Sequence, residues 1–260
     1  MRSTALLFTA ALTLSSLPPL SPVAAKQAVS TITAAVTAPG RPAEQITLDE
    51  GRKPAEVLAF EGLKPGMKAA DVMAGAGYYT EIMARVVGPK GHVTAYEPTQ
   101  FLPTDDKGKA IWTSLVARNP NVTQTAYPFD QFTAAPNSLD FTMLHLSYHD
   151  LYWESAQYKV PRTDPDAFVA TLFKATKPGG IVAVIDHAAL PGDTRATVEK
   201  LHRIDPAVVK ADFVKAGFVL EAESDVLKMA ADDHSTMVFD PSIRGKTDRF
   251  ALRFRKPKKG

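Results

Sequence analysis

The chain contains no cysteine among its 260 residues, and it has no large excess of charge of either sign. The absence of cysteine excludes disulfides, thiolate metal ligands, cysteine nucleophiles and a lipid anchor on cysteine. The formal net charge of +2 falls short of the basic excess that nucleic-acid-binding domains carry. We therefore expect a small-molecule substrate and no nucleic-acid partner.

Long apolar runs are also missing, apart from a short one at the N-terminus. Arg2 is followed by an apolar stretch over residues 5–17, and Val23-Ala24-Ala25 precedes Lys26. This order of positive, apolar and small residues is typical of a secretory signal, and the apolar run is shorter than the roughly 20 residues that span a bilayer. A buried N-terminal helix is the alternative.

We predict a signal peptide over residues 1–25, a linker over 26–45 and one domain over 46–260. The linker prediction rests on a composition rich in Ala, Thr, Pro and Val without a clear apolar period. The protein is then expected to be periplasmic or secreted, without a stable membrane anchor after signal removal.

From Ile46 onward the apolar pattern alternates between the strand period and the helix period. Seven strands are predicted, at 67–74, 92–97, 121–127, 138–146, 181–186, 218–224 and 249–255. Helices are predicted at 48–62, 78–87, 107–118, 164–176 and 206–217. Lys177-Pro178-Gly179-Gly180 predicts a turn, and the last two strands, with no clear helix between them, should pair antiparallel.

This pattern predicts an α/β fold of the Rossmann-like, doubly wound type. Its seven-stranded sheet should be mostly parallel, with an antiparallel C-terminal strand. Ligands of such sheets lie beyond the carboxyl ends of the strands, where the strand order reverses.

The first strand ends in a glycine turn, Ala74-Gly75-Ala76-Gly77, that leads into a helix. Glycines allow a tight turn and a close approach of a ligand to the backbone. Glu97 ends the next strand, twenty residues after Gly77, where a carboxylate can accept hydrogen bonds from ribose hydroxyls. Thr80 and the bulky Tyr78 and Tyr79 stand where a dinucleotide loop has small residues, which favours a cofactor without a pyrophosphate over NAD.

The segments Gly62-Leu63-Lys64-Pro65-Gly66-Met67 and Ala70-Asp71-Val72-Met73-Ala74-Gly75-Ala76-Gly77-Tyr78-Tyr79-Thr80 resemble the first motif of class I S-adenosylmethionine-dependent methyltransferases. Four further segments resemble a bacterial group of exported predicted methyltransferases: Leu144–Tyr152, Ile185–His187, His202–Asp205 and Phe239–Phe250. The resemblance implies S-adenosylmethionine as the cofactor and leaves the methyl acceptor open. It also implies the following cofactor-binding residues: Asp71, Ala74, Gly75, Ala76, Gly77, Glu97, Phe129 and Asp130.

Polar residues follow the fourth and fifth strands, where a methyl acceptor would bind. We predict His149 with Asp150 as the general base and Tyr148 as a further catalytic residue, because methyl transfer to a hydroxyl or ammonium needs a proton acceptor. His145, His187 and Arg244 are predicted substrate contacts. Structural roles for these side chains, and a metal site built from His145, His149, Asp150, Asp186, His187 and His202, remain alternatives.

Two other functions stay open at this point. The export signal raises the question of cofactor supply, so a non-catalytic exported binding protein with the same fold is one alternative. A nicotinamide-dependent oxidoreductase is the other, and the missing third glycine weighs against it.

Overall fold

The structure, a computed structural model, describes residues 22–258, with side chains described from residue 29 onward. The predicted signal peptide lies outside the described residues except for its last four positions. Within residues 22–258, no helix combines the length and apolarity required to cross a bilayer.

Seven strands form a single sheet in the order β3-β2-β1-β4-β5-β7-β6. Their bounds are β1 Lys68–Val72, β2 His92–Pro98, β3 Val122–Tyr127, β4 Leu139–His145, β5 Thr176–His187, β6 Val219–Ser224 and β7 Arg249–Arg255. Strands β1 to β5 pair in parallel, and β7 pairs antiparallel with both β5 and β6. The predicted fold class is confirmed.

Nine α-helices and one 3₁₀-helix are found in the described part of the chain. They are α1 Pro22–Thr37, α2 Ala43–Ile46, α3 Asp49–Arg52, α4 Pro54–Glu61, α5 Tyr78–Val87, α6 Asp106–Arg118, the 3₁₀-helix Tyr148–Tyr152, α7 Pro165–Ala175, α8 Thr194–Leu201 and α9 Pro206–Lys215. Asp164 caps α7 by accepting from the backbone of Asp166, and Pro165 stands at the first helical position, as the sequence predicts.

The sheet separates two apolar clusters, as the strand period of two requires. In β5, Ile181 and Ile185 belong to the cluster beneath α4 and α5, whereas Val182 and Val184 belong to the cluster beneath α7 and α9. A doubly covered sheet leaves ligand access at the ends of its strands.

The segment predicted as a linker is largely helical instead. Helix α1 packs against α4 and α5, with Ile32 and Ala35 buried and Val36 partly buried. The prediction was wrong because this stripe is narrow and built mostly of small side chains, so its apolar period is weak in the sequence. The predicted cleavage point after Ala25 falls within α1.

Two local predictions also differ from the structure. The helix predicted over 48–62 is divided at Lys53, whose φ of +44° ends α3 before Pro54 begins α4. The residues 177–180 do not leave the sheet as a turn: they lie inside β5, next to a register shift opposite Leu139 and Phe141. Helix α8, which is short and mostly polar, and the 3₁₀-helix, which is only five residues long, were not predicted.

Candidate functional site

The strand order reverses between β1 and β4, and the glycine turn lies at that point. Gly75 and Gly77 have φ values of +56° and +75°. A side chain at Gly75 would meet no atom within 4 Å, whereas a Cβ at Gly77 would lie 2.4 Å from Leu115 Cδ1. Gly75 therefore leaves open space beside the backbone, while Gly77 is required by the packing of α6.

Glu97 reaches this turn from the end of β2. Its Oε2 accepts a hydrogen bond from the Gly75 backbone at 2.9 Å, and the residue is only 2% exposed. Burial raises the pKa of Glu97 to about 8, although the Gly75 N–H lowers it in part. The predicted proximity of the carboxylate and the turn is present in the structure.

Two of the buried side-chain atoms that lack a hydrogen-bond partner among the described residues are hydroxyl oxygens at the carboxyl ends of β3 and β4. These are Tyr127 Oη, at the end of β3, and Ser147 Oγ, just after β4. Burial and then the charges of Glu97 and Asp150 raise the pKa of Tyr127, so its hydroxyl lies near both carboxyl groups. Buried polar atoms in native proteins are usually satisfied, and these two suit the hydroxyl and amino groups of a polar ligand.

The space next to the turn accommodates part of such a ligand. A cavity of about 190 Å³ borders Gly75 and Ala76 and is closed on its far side by Phe101 and Trp112. Trp112 Nε1 donates to the Gly75 carbonyl at 3.1 Å, and Gln45 Nε2 donates to the Ala76 carbonyl at 3.1 Å. These bonds hold the turn in place from both sides.

Three residues predicted to contact a cofactor lie further from this space. Asp71 is buried, and its Oδ2 accepts from Thr80 Oγ1 at 2.5 Å, which braces β1 against α5. Phe129 is 1% exposed and packs against Phe101, with ring centroids 5.5 Å apart. Asp130 is exposed beside a separate cavity of about 100 Å³.

His149 forms a buried pair with Asp186. Its Nδ1 lies 2.8 Å from Asp186 Oδ1, and its backbone N–H donates to Asp186 Oδ2 at 2.9 Å. Burial lowers the pKa of His149, but the charges of Asp186 and Asp150 outweigh it and raise the pKa to about 9. His149 is then protonated at neutral pH and carries no vacant lone pair, which argues against the predicted role as general base.

Asp150 and Tyr148 separate in space although they flank His149. Asp150 lies 3.5 Å from His149 Nε2 and keeps a side-chain exposure of 17%. Tyr148 is fully buried, donates to Asp212 Oδ2 at 2.7 Å and packs against Phe213. The catalytic prediction for Tyr148 is corrected: the 3₁₀-helix directs its side chain into the core beneath α9.

A cavity of about 730 Å³, called the large cavity below, lies at the carboxyl ends of β4 and β5. Its lining residues are Thr47, Leu48, Glu50, Gly51, Arg52, Lys53, Leu146, His187, Leu227, Met229, Val238, Phe239, Arg244, Gly245, Lys246, Thr247 and Arg249. The predicted substrate contacts His187 and Arg244 are therefore brought together. His187 Nδ1 lies 2.8 Å from Thr247 Oγ1, and burial lowers the pKa of His187 to about 3.

His145 does not line this cavity. Its ring packs against Tyr79 with centroids 4.6 Å apart, and burial followed by the charge of Arg52 keeps its pKa well below the usual range. Within residues 22–258, no group of three His, Asp or Glu side chains has an arrangement that could hold a metal ion.

Several residues of the site had no signal in the sequence. Arg52, Tyr127 and Ser147 are single polar residues in unrelated segments, and only the tertiary structure brings them to the strand ends. Leu146 has a φ of +57°, a strained value for a side chain of its size and one that often marks a functional site.

Residues 38–109 match the profile of the family described as protein-L-isoaspartate(D-aspartate) O-methyltransferase. This range includes the glycine turn and Glu97 and ends before β3. No curated protein matches the chain.

Solved structures match most of the chain. A SAM-dependent methyltransferase from Aquifex aeolicus is 20% identical, with coverage of 88% of this chain and 98% of that one and a TM-score of 0.56. The cyclase SpnF is 17% identical, covering 89% and 93%, with a TM-score of 0.56. An arsenic(III) S-adenosylmethionine methyltransferase from Chlamydomonas reinhardtii is 16% identical, covering 88% and 73%, with a TM-score of 0.51.

At these identities the likeness concerns the fold. The chain has the fold of class I SAM-dependent methyltransferases, with the strand order and the antiparallel β7 described above.

Proposed function

We propose, from this fold and from the contact between Glu97 and the glycine turn, that the protein is an S-adenosylmethionine-dependent methyltransferase acting on a small molecule. The observation that carries the proposal is the hydrogen bond from Gly75 to Glu97, next to open space at Gly75, together with two unpartnered buried hydroxyl oxygens at the carboxyl ends of β3 and β4. The family profile over residues 38–109 includes both the glycine turn and Glu97 and supports the same proposal.

The residues at the strand ends fit an adenosyl group. Glu97 would accept hydrogen bonds from the ribose hydroxyls, and Gly75 would let the ligand lie against the backbone. Tyr127 and Ser147 would find in the ligand the hydrogen-bond partners that they lack within the protein. When bound, the cofactor supplies an electrophilic methyl group on a sulfonium.

The chain itself has to position the acceptor and keep water away. The cavity of about 730 Å³ adjoins the end of β4 through Leu146, and β4 pairs with β1, the strand that leads into the glycine turn. Its size falls in the range of small-molecule sites. We place the acceptor there, in contact with His187 and Arg244.

We also propose that the protein acts after export, in the periplasm or outside the cell. The N-terminal order of positive, apolar and small residues supports this localisation. N-terminal sequencing of the protein recovered from the periplasm or medium tests it, and a chain that retains Met1 there would contradict it.

Titration calorimetry with S-adenosylhomocysteine tests the function. We expect micromolar-range binding by the full-length protein and a loss of about 30-fold for Glu97→Ala, since two hydrogen bonds contribute roughly 1 kcal/mol each. Glu199→Gln, an exposed substitution on α8, is the matched control and should bind normally. Absence of binding to the folded protein would refute the proposal, and binding without any methyl transfer would favour a non-catalytic binding protein.

A further inference from the structure

Five cationic residues surround the large cavity: Arg52, Lys53, Arg244, Lys246 and Arg249. None of them forms an ion pair with a carboxylate among the described residues. By contrast, the buried arginines Arg41 and Arg203 each form one, with Asp49 and Asp232. Glu50 is the only acidic side chain among the described lining residues, and it is exposed. The cavity is therefore lined by cations that lack a carboxylate within ion-pair distance, although Asp49 and Asp71 act on Arg52, and Asp248 acts on Arg249, from further away.

Arg52 and Arg249 carry the most buried of these charges. Arg249 is 5% exposed, and its guanidinium donates to the backbone carbonyls of Gly51 at 2.8 Å and Thr247 at 3.2 Å. The guanidinium carbon of Arg52 lies 4.4 Å from the centre of the Tyr78 ring. Burial lowers the pKa of both arginines, and the charge of Arg52 also lowers that of Arg249. Arg249 is thus a buried charge without a carboxylate in ion-pair contact, Arg52 is a partly buried one beside it, and a bound anion would offset the cost of holding the two like charges together.

The remaining wall of the cavity is apolar. Leu227 and Val238 are almost fully buried, Leu146 and Met229 lie beside them, and Phe239 is half exposed at the rim. A ligand that satisfies both parts of the wall carries an anionic group at one end and an apolar body at the other.

The histidines at these strand ends are not suited to removing a proton at neutral pH, and Asp150, whose pKa burial raises to about 6, does not line the large cavity. His149 is already protonated because of Asp186, and burial lowers the pKa of His187 to about 3 and that of His202 to about 4. A hydroxyl or an ammonium would need such a base in order to accept a methyl group. A carboxylate has no proton to lose at neutral pH, and the planar guanidinium groups of two arginines match its geometry.

We infer that the large cavity binds a small amphipathic carboxylate, and that its carboxylate oxygen is the methyl acceptor of the proposed function. The oxygen forms a bond to the methyl carbon as the bond from that carbon to sulfur breaks, and the electron pair of the broken bond stays on sulfur. The products are a neutral methyl ester and a neutral thioether, and no proton is transferred. The role of the carboxylate as methyl acceptor rests on the proposed function, whereas the binding of the carboxylate does not.

The acceptor of the matching family profile does not decide this question. That match ends at residue 109, whereas Leu146 and the lining residues from 227 to 249 lie beyond it. The apolar wall comes from this second part of the chain, and it favours an apolar body over a peptide.

Octanoate and octan-1-ol are the probes that separate charge from apolarity. Calorimetry on the full-length protein without cofactor should show octanoate binding at least 10-fold more tightly than octan-1-ol. Arg52→Gln should weaken octanoate binding at least 10-fold, and Arg244→Gln, at an exposed position, serves if the first variant fails to fold. Lys64→Gln, at an exposed position before the amino end of β1, is the control and should bind as the unmodified protein does.

Equal affinity for the acid and the alcohol, or no binding of either, would overturn the inference. The acceptor role is tested by incubating the protein with S-adenosylmethionine labelled in the methyl group and octanoate. A methyl ester, recognised by release of labelled methanol in base, supports the role; octanoate bound but not methylated, or label transferred to an isoaspartyl peptide instead, overturns it. Because octanoate binding is measured without cofactor, its outcome is independent of the S-adenosylhomocysteine titration.

Discussion

Asp186 contacts His149 through both the imidazole and the backbone, and this pair is almost completely buried. The contact converts a residue that looks like a base in the sequence into a cation that joins the 3₁₀-helix to β5. The histidine at position 187 differs, because burial lowers its pKa by more than the charge of Asp186 raises it. The roles of the histidines thus follow from their neighbours rather than from their positions in the chain.

The His149–Asp186 pair predicts a pH-dependent contribution to stability. The pKa of His149 is raised to about 9 in the folded protein, against about 6.5 for an unfolded histidine. Its contribution is fully present below pH 6.5 and is lost as the pH rises through 9, and it amounts to up to about 3 kcal/mol. Urea unfolding of the unmodified protein and of His149→Gln should show a difference in free energy that shrinks between pH 6 and pH 9.5.

A difference that stays constant or grows over that range would contradict this assignment. Lys64→Gln, which lies far from the pair, should give the same small difference at both pH values.

At the scale of elements, the long connection between β6 and β7 forms one wall of the large cavity. Residues 225–248 contain no helix or strand, yet Leu227 and Val238 within them are buried. Arg203 holds this connection through two hydrogen bonds to Asp232, at 2.8 and 3.0 Å, and both side chains are nearly inaccessible. Asp232 also accepts from the backbone N–H of Asp248 at 2.6 Å.

Asp232→Asn should therefore destabilise the protein by about 3–5 kcal/mol, because it leaves the buried charge of Arg203 without its partner. Urea unfolding measures the loss, and limited proteolysis should show earlier cleavage within 225–248. Glu154→Gln, which breaks an ion pair whose side chains are both more than half exposed, is the control and should leave stability unchanged. Equal stability of the two variants would show that the connection is held by other contacts.

At the scale of the whole molecule, the N-terminal segment is part of the folded domain. Helix α1 covers α4 and α5, Arg41 forms two hydrogen bonds of 2.7 Å with Asp49, and Asp49 accepts from the hydroxyl of Tyr78 at 2.7 Å. Gln45 continues this chain of contacts to the glycine turn. The segment thereby supports the cofactor side of the site from outside the sheet.

A chain that begins at Thr47 should be less stable than one that begins at Lys26. The shorter chain loses the buried side chain of Ile32 and the ion pair of Arg41, which together contribute about 3 kcal/mol or more. That loss corresponds to a fall in Tm of roughly 6–12 °C for a domain of this size. Thermal unfolding followed by circular dichroism provides the measurement, and equal Tm values would contradict the role of α1.

Much of the fold could be predicted because it depends on local patterns. Helix α5 occupies the predicted residues 78–87, and the seven strands lie where alternating or continuous apolar runs indicate them. The pairing of β6 with β7 followed from the lack of a helix between them. The likeness to class I methyltransferases is confirmed at the level of the fold, and the proximity of Glu97 to the turn followed from the spacing of two adjacent strand ends.

The rest depended on which side chains meet in three dimensions. The period of a 3₁₀-helix decided that Tyr148 faces the core and His149 the strand ends, and burial together with Asp186 decided the charge of His149. Arg52 and Arg249 are 197 positions apart, and only the closure of the sheet brings both to one cavity. The amino-acid order alone therefore determined the architecture and the place of the glycine turn as local and periodic properties, whereas burial and long-range contact decided the chemistry of the acceptor side.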